Sequence, residues 1–211
     1  MRRIVLSFLV LVVVQAGAVA QPAAVEALLR REMRERRIPG LQVAVVQNQR
    51  IVLLKSFGTA ELQHSIPTTN KTIFPVYSCT KAFTGVAIMQ LVEEGKIDLN
   101  APVSRYLDGL PESWQSVTIR QLLTHVSGLP NILSVLDPVT YGLPRGTSEE
   151  QVWTKLKSMP IASAPGERFS YNQTNYALLG KIIDKLTGRP FVESFKESVC
   201  RNRQCRDQAC G

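Results

Sequence analysis

The chain has 211 residues, 45% of them hydrophobic and 7% aromatic, enough for one large domain or two small ones around a real apolar core. Its formal charge of +8 is a modest excess, and the densest basic stretch, RREMRERR at 30–37, carries no interleaved aromatic residue. A solvated helix face accounts for that stretch, and a nucleic-acid partner is not expected.

Residues 1–20 read as a secretory signal peptide. Arg2 and Arg3 precede an apolar run from Ile4 to Val14, and the segment ends in Ala18-Val19-Ala20. The run is too short to span a bilayer, and the small-x-small ending fits a signal peptidase site. No cysteine follows the cut, so no lipid anchor is expected, and the mature charge falls to +6. This leader places the protein in the periplasm or outside the cell.

Past the leader, a helix is predicted at about 23–37. Val25, Leu29 and Met33 form its apolar stripe, and Glu26 with Arg30 and Glu32 with Arg36 make i,i+4 pairs. Pro39-Gly40 ends that pattern, and LQVAVVQNQRIVLLKSFG predicts a β-hairpin turning around Gln47 to Arg50. From Ser78 to Glu94 there is no proline, and Phe83, Val86, Ala87, Ile88, Met89 and Leu91 predict a helix apolar on most sides, hence central and buried, with Gly95 at its end.

TIRQLLTHVSGLP, at 118–130, starts a short helix with a capping box of Thr118 and Gln121 and is expected to stop at Gly128 and Pro130. A loop-rich excursion over 131–166 holds one helix near Glu149 to Ser158. NYALLGKIIDKLTGRP is then an amphipathic helix with Leu178, Leu179, Ile182, Ile183 and Leu186 on one side, closed by Gly188-Arg189-Pro190. The chain has no internal repeat, and nothing in it sets an oligomeric state.

Cysteine use is lopsided. Cys79 stands alone through residue 199, whereas Cys200, Cys205 and Cys210 fall within eleven positions. Three cysteines five apart match no zinc spacing, so no metal site is expected. Residues 200–211 break in composition from everything before them and read as an aberrant tail, out of frame or stopped early.

The chemistry concentrates in VYSCTKAF, residues 76–83. Ser78 and Lys81, at i and i+3, share a helix face with hydroxyl and amine one turn apart. Burial of that helix would draw Lys81 away from water, as a general base requires. A serine on a first helical turn also points its own N–H at any acyl oxygen attached to it, which is half of an oxyanion hole. The alternative reading is a serine that merely caps a helix. His125 lies in a stretch that reads as structural, and no Gly-x-Ser-x-Gly elbow occurs, so it is expected to be packed rather than a triad base. His64 is expected to face solvent.

Four stretches, IPGLQVAVVQN, SCTKAFTGVAIMQLVEEGKIDLNAPVSRYL, TIRQLLTHVSGLP and PGERFSYNQTNYALLG, resemble in order and spacing the serine β-lactamase and penicillin-binding protein family, nearest its class C and esterase-like members. The resemblance runs from about 23 to 199. It implies an α+β, β-lactamase/transpeptidase-like fold: an antiparallel sheet flanked by helices plus a mostly helical subdomain. On that plan residues 21–77 hold the N-terminal part of the α/β domain and 78–199 the helical active-site region.

The resemblance also implies Ser78 as nucleophile, Lys81 as the group that helps deprotonate it, and Tyr171 as proton shuttle. Gln173, a substrate-binding position, stands where the family carries asparagine. The implied activity is an acyl-enzyme hydrolase without metal or cofactor, acting on a β-lactam, a D-alanyl peptide or a small ester. The family's third element, a Lys-Thr-Gly or His-x-Gly strand, has no counterpart after Tyr171, so the sheet is expected to be incomplete. A non-catalytic binder of cell-wall peptide or β-lactam, or an inactive fragment, is the competing reading.

Overall fold

The structure is a computed structural model and describes residues 22–200. The leader expected at 1–20 lies outside the described residues, as does the tail expected at 200–211 apart from the backbone of Cys200. Backbone contacts divide the chain into one unit ending at Pro75 and a second starting at Val76.

In the first unit, α1 (Pro22–Glu35) is followed by β1 (Gly40–Gln47), β2 (Arg50–Glu61) and the two-residue β3 (Ile66–Pro67), an antiparallel sheet in the order β1-β2-β3. Asn48 and Gln49 form the hairpin turn with φ of 50° and 62°. That left-handed pair is what a two-residue hairpin needs to match the strand twist, and asparagine adopts it readily. Side chains of β2 alternate: Leu53 and Phe57 are buried, while Val52 and Leu54 are exposed. The predicted pairs of α1 form, Arg30–Glu26 at 2.8 Å and Arg36–Glu32 at 2.8 Å. Arg30 also lies 4.9 Å over the Phe57 ring and Glu26 pairs with Lys55, which fixes α1 on β2. Among the described residues β1 pairs with β2 alone, so one sheet edge is open.

The second unit is helical. A 3₁₀ turn (Tyr77–Cys79) leads into α2 (Thr80–Glu93), followed by α3 (Glu112–Gln115), α4 (Ile119–Leu123), α5 (Glu149–Lys157), α6 (Gln173–Thr187) and α7 (Phe191–Cys200). The core gathers around α6, whose Leu178, Leu179, Ile182 and Ile183 are buried as the helical spacing predicts, together with Ile88, Trp114, Ile119 and Leu122. No helix among the described residues is long and apolar enough to cross a membrane.

Three expectations are corrected here. α2 is not buried on most sides: Thr84, Ala87, Ile88 and Leu91 face α6 and α7, but Phe83, Val86 and Met89 are 37%, 54% and 43% exposed. A helix apolar all round carries no periodic signal for which side its neighbours cover. Its end is a Schellman turn with Glu94 as the cap and Gly95, φ 71°, one position later; Gly95 N–H donates to Val92 O and Lys96 N–H to Leu91 O. α4 keeps the predicted capping box of Thr118 and Gln121 but stops at Leu123, because His125 takes the left-handed conformation, φ 58°, well before Gly128. β3 and α7 were not foreseen: β3 is too short to show alternation, and α7 follows directly on a Gly-Arg-Pro terminator.

Candidate active site

Ser78 lies in the 3₁₀ turn immediately ahead of α2. Tyr77, before it, has φ 42°, an uncommon conformation for a residue with a side chain and one that clusters at functional sites. The first bond of the turn runs from Cys79 N–H to Val76 O at 3.0 Å, so the Ser78 N–H precedes it and finds no acceptor within the turn.

Two polar atoms converge on the Ser78 hydroxyl. Lys81 Nζ donates to Oγ at 3.3 Å from the next turn, and the Tyr171 hydroxyl donates to it at 2.9 Å across 93 positions of chain. Lys81 Nζ also donates to Gln173 Oε1 at 2.5 Å and sits 4.9 Å over the Tyr171 ring and 5.5 Å over that of Tyr176. All four predicted positions, Ser78, Lys81, Tyr171 and Gln173, therefore share one cluster. Lys81 is only half-buried and Ser78 is exposed, contrary to the expected burial. Its partners hold the amine in place, the Gln173 amide oxygen accepting directly from Nζ. Cys79 is exposed with a free thiol and shares none of these contacts.

Tyr171 has its phenol held below the ordinary tyrosine range, first by its hydrogen bond with Lys81, then by the one it shares with Ser78. A cation and a hydroxyl beside the oxygen both favour the phenolate, the form that accepts a proton.

The segment carrying Tyr171 is locked to the one carrying His125. Asn172 caps α6 by accepting from Thr174 N–H at 2.8 Å, and its amide donates to Leu129 O at 2.5 Å. Thr174 Oγ donates to Pro130 O at 2.6 Å and accepts from Ile132 N–H, and Ser127 Oγ donates to Asn175 Oδ1 at 2.6 Å. Gly128, φ 71°, is required where the His125 segment passes the loop at 162–163: a Cβ there would lie 2.0 Å from Ser163 O. Asn172 stands in a formal glycosylation sequon but is buried, and its amide nitrogen is already engaged.

His125 is the residue sequence reasoning undervalued. It is packed, as expected, but against the site: its ring is 4.6 Å from that of Tyr171 and 5.2 Å from that of Tyr176. Its carbonyl accepts from Ser170 N–H at 2.8 Å, and its Nδ1 accepts from Asn172 N–H at 3.1 Å. A backbone N–H only donates, so Nδ1 is unprotonated and the proton of the neutral ring is on Nε2. One histidine thus holds both neighbours of Tyr171. The signal in the sequence was His125 and Ser127 breaking an otherwise apolar stretch. His64, by contrast, is exposed and bonds Glu61 at 2.8 Å.

Burial, and secondly the charge of Lys81, hold His125 below the usual histidine range. The unfolded chain binds a proton near pH 6.5 where the folded chain still does not, so stability falls as pH drops from about 6.5 toward the lowered value. Denaturant midpoints followed across that range should show this loss in the native chain and lack it in His125→Gln. Parallel slopes in the two proteins would contradict the assignment.

Among the described residues no group of three His, Cys, Asp or Glu stands close enough together to hold a metal ion.

The beta-lactamase family profile matches residues 25–205. The chain is 29% identical over 178 residues to Protein flp of Staphylococcus aureus (strain COL), covering 82% of this chain and 35% of that protein. Among solved structures, the octameric penicillin-binding protein homologue from Pyrococcus abyssi superposes with a TM-score of 0.67 at 33% identity, covering 85% of this chain and 42% of that one. A class C beta-lactamase in complex with cefoxitin gives 0.65 at 28% identity, covering 84% and 48%. The chain spans less than half the length of each of these relatives. With helices and a small antiparallel sheet of the β-lactamase/transpeptidase type, it belongs to the beta-lactamase family of serine hydrolases.

Proposed function

We propose that this protein is an exported serine hydrolase that works through an acyl-enzyme on Ser78. The observation that carries the reading is the convergence of Lys81 Nζ and Tyr171 Oη on one serine oxygen, at 3.3 and 2.9 Å. In the attacking state the Tyr171 oxygen, deprotonated beside Lys81, takes the proton of Ser78 as Oγ bonds to the substrate carbonyl carbon. The Ser78 N–H supplies one donor to the oxyanion so formed. Tyr171 then returns the proton to the leaving group as its bond to carbon breaks, and water, activated by the same oxygen, releases the acid.

The substrate is a β-lactam, a D-alanyl peptide or a small ester: a molecule whose acyl carbonyl reaches an exposed serine. The convergence of both Lys81 and Tyr171 on the Ser78 oxygen favours a catalytic site over a non-catalytic binder. The test is to treat the chain with a penicillin and with a phosphonate and to measure its intact mass. A single covalent adduct supports the reading, and a chain unmodified by both probes opposes it.

A further inference from the structure

Beside the cluster, α6 forms one wall of a groove of 620 Å³ that opens next to Lys81 and Gln173 and runs to Asp184 and Phe191. That volume is in the range of small-ligand pockets. Leu136, Val152, Trp153 and Tyr176 supply apolar lining between the two ends. Gln173 and Asp184 are eleven residues apart on α6, so the groove is about 16 Å long at about 1.5 Å per residue.

The charges at its far end are not balanced evenly. Lys181 pairs with Glu149 at 3.1 Å and covers the Trp153 ring at 4.8 Å, while the Trp153 indole N–H donates to the same Glu149 oxygen at 3.1 Å. Those three groups satisfy one another. Asp184 Oδ1 is buried without a hydrogen-bond partner. That oxygen is closed to a ligand, but Asp184 also lines the groove and forms no ion pair among the described residues, so a cationic ligand end meets an unopposed carboxylate there and an aliphatic one gains nothing.

We propose that this groove is a specificity subsite for an elongated acyl group with an apolar body and a cationic amine at its far end, and that Asp184 is the residue that selects the amine. The apolar body lies along Trp153 and Tyr176, and the ammonium pairs with the Asp184 carboxylate. The acyl carbonyl sits at the Lys81 end, in reach of Ser78. This orientation rests on the reading of Ser78 as the acyl acceptor, but binding in the groove does not.

The test therefore uses Ser78→Ala, which forms no acyl-enzyme, and follows Trp153 emission during titration with N-methylamides of ω-amino acids of about six to about twelve carbons, against the amine-free chains of equal length. The long amine should bind at least tenfold more tightly than its amine-free counterpart, the short pair should not differ, and Asp184→Asn should erase the long-chain preference. Acetylating the long amine should have the same effect without altering the protein, so a poorly folding Asp184→Asn does not decide the outcome. Equal binding of amine and amine-free chains at every length would overturn the proposal. So would an emission change that persists in Trp153→Phe, because the signal would then come from Trp114, outside the groove.

Discussion

Replacing Ser78 with alanine is expected to lower hydrolysis of a chromogenic ester by about ten-thousand-fold or more, the scale seen when an activated nucleophile is removed from a hydrolase. The effect is that large because alanine takes away the one atom on which Lys81 and Tyr171 converge. The fold should be untouched: Ser78 is exposed, and the turn around it is held by the backbone bond from Cys79 to Val76. Matched unfolding midpoints with lost turnover would identify a chemical role. A loss of only a few-fold would mean that another group, with Cys79 the nearest candidate, does the attack.

The second large effect is expected at Tyr171. Tyr171→Phe keeps the ring against His125 and beneath Lys81 and removes only the oxygen. Losing a positioned acid–base group costs about 10²- to 10⁴-fold in kcat/KM. The pH profile gives a sharper test. With the phenol held below its ordinary value by Lys81 and Ser78, the native rate should rise with pH and level off below the usual tyrosine range near 10. Tyr171→Phe should lose that rise along with the rate. A variant that is slow but keeps the same profile would assign the titration to a different group.

Much of this arrangement was legible before any coordinates, and the parts that were not share a physical cause. Local signals transferred well: the capping box of Thr118 and Gln121, the pairs along α1, the hairpin turn at Asn48-Gln49 and the buried stripe of α6 all depend on residues within a few positions of one another. The spacing of Ser78 and Lys81 is local in the same sense, since i and i+3 must share a face once the segment is helical. Tyr171 and Gln173 became readable as partners only through the family resemblance, because no periodicity links positions more than ninety residues apart.

What stayed hidden was decided by tertiary contact. The exposure of Phe83, Val86 and Met89 depends on where α6 and α7 lie. The early end of α4 depends on the left-handed turn at His125, whose ring and backbone are committed to residues 170–172. The half-burial of Lys81 follows from the same one-sided packing of α2, so the amine is governed by Gln173 and Tyr171 rather than by isolation from water.

The measurement that bears most directly on the central claim is the position of the adduct. The native chain is labelled with a penicillin and with a phosphonate, digested, and the modified peptide fragmented to locate the added mass. The account predicts both labels on Ser78 and none on the neighbouring Cys79. Labels on Cys79, or scattered over surface nucleophiles with Ser78 unmodified, would contradict it.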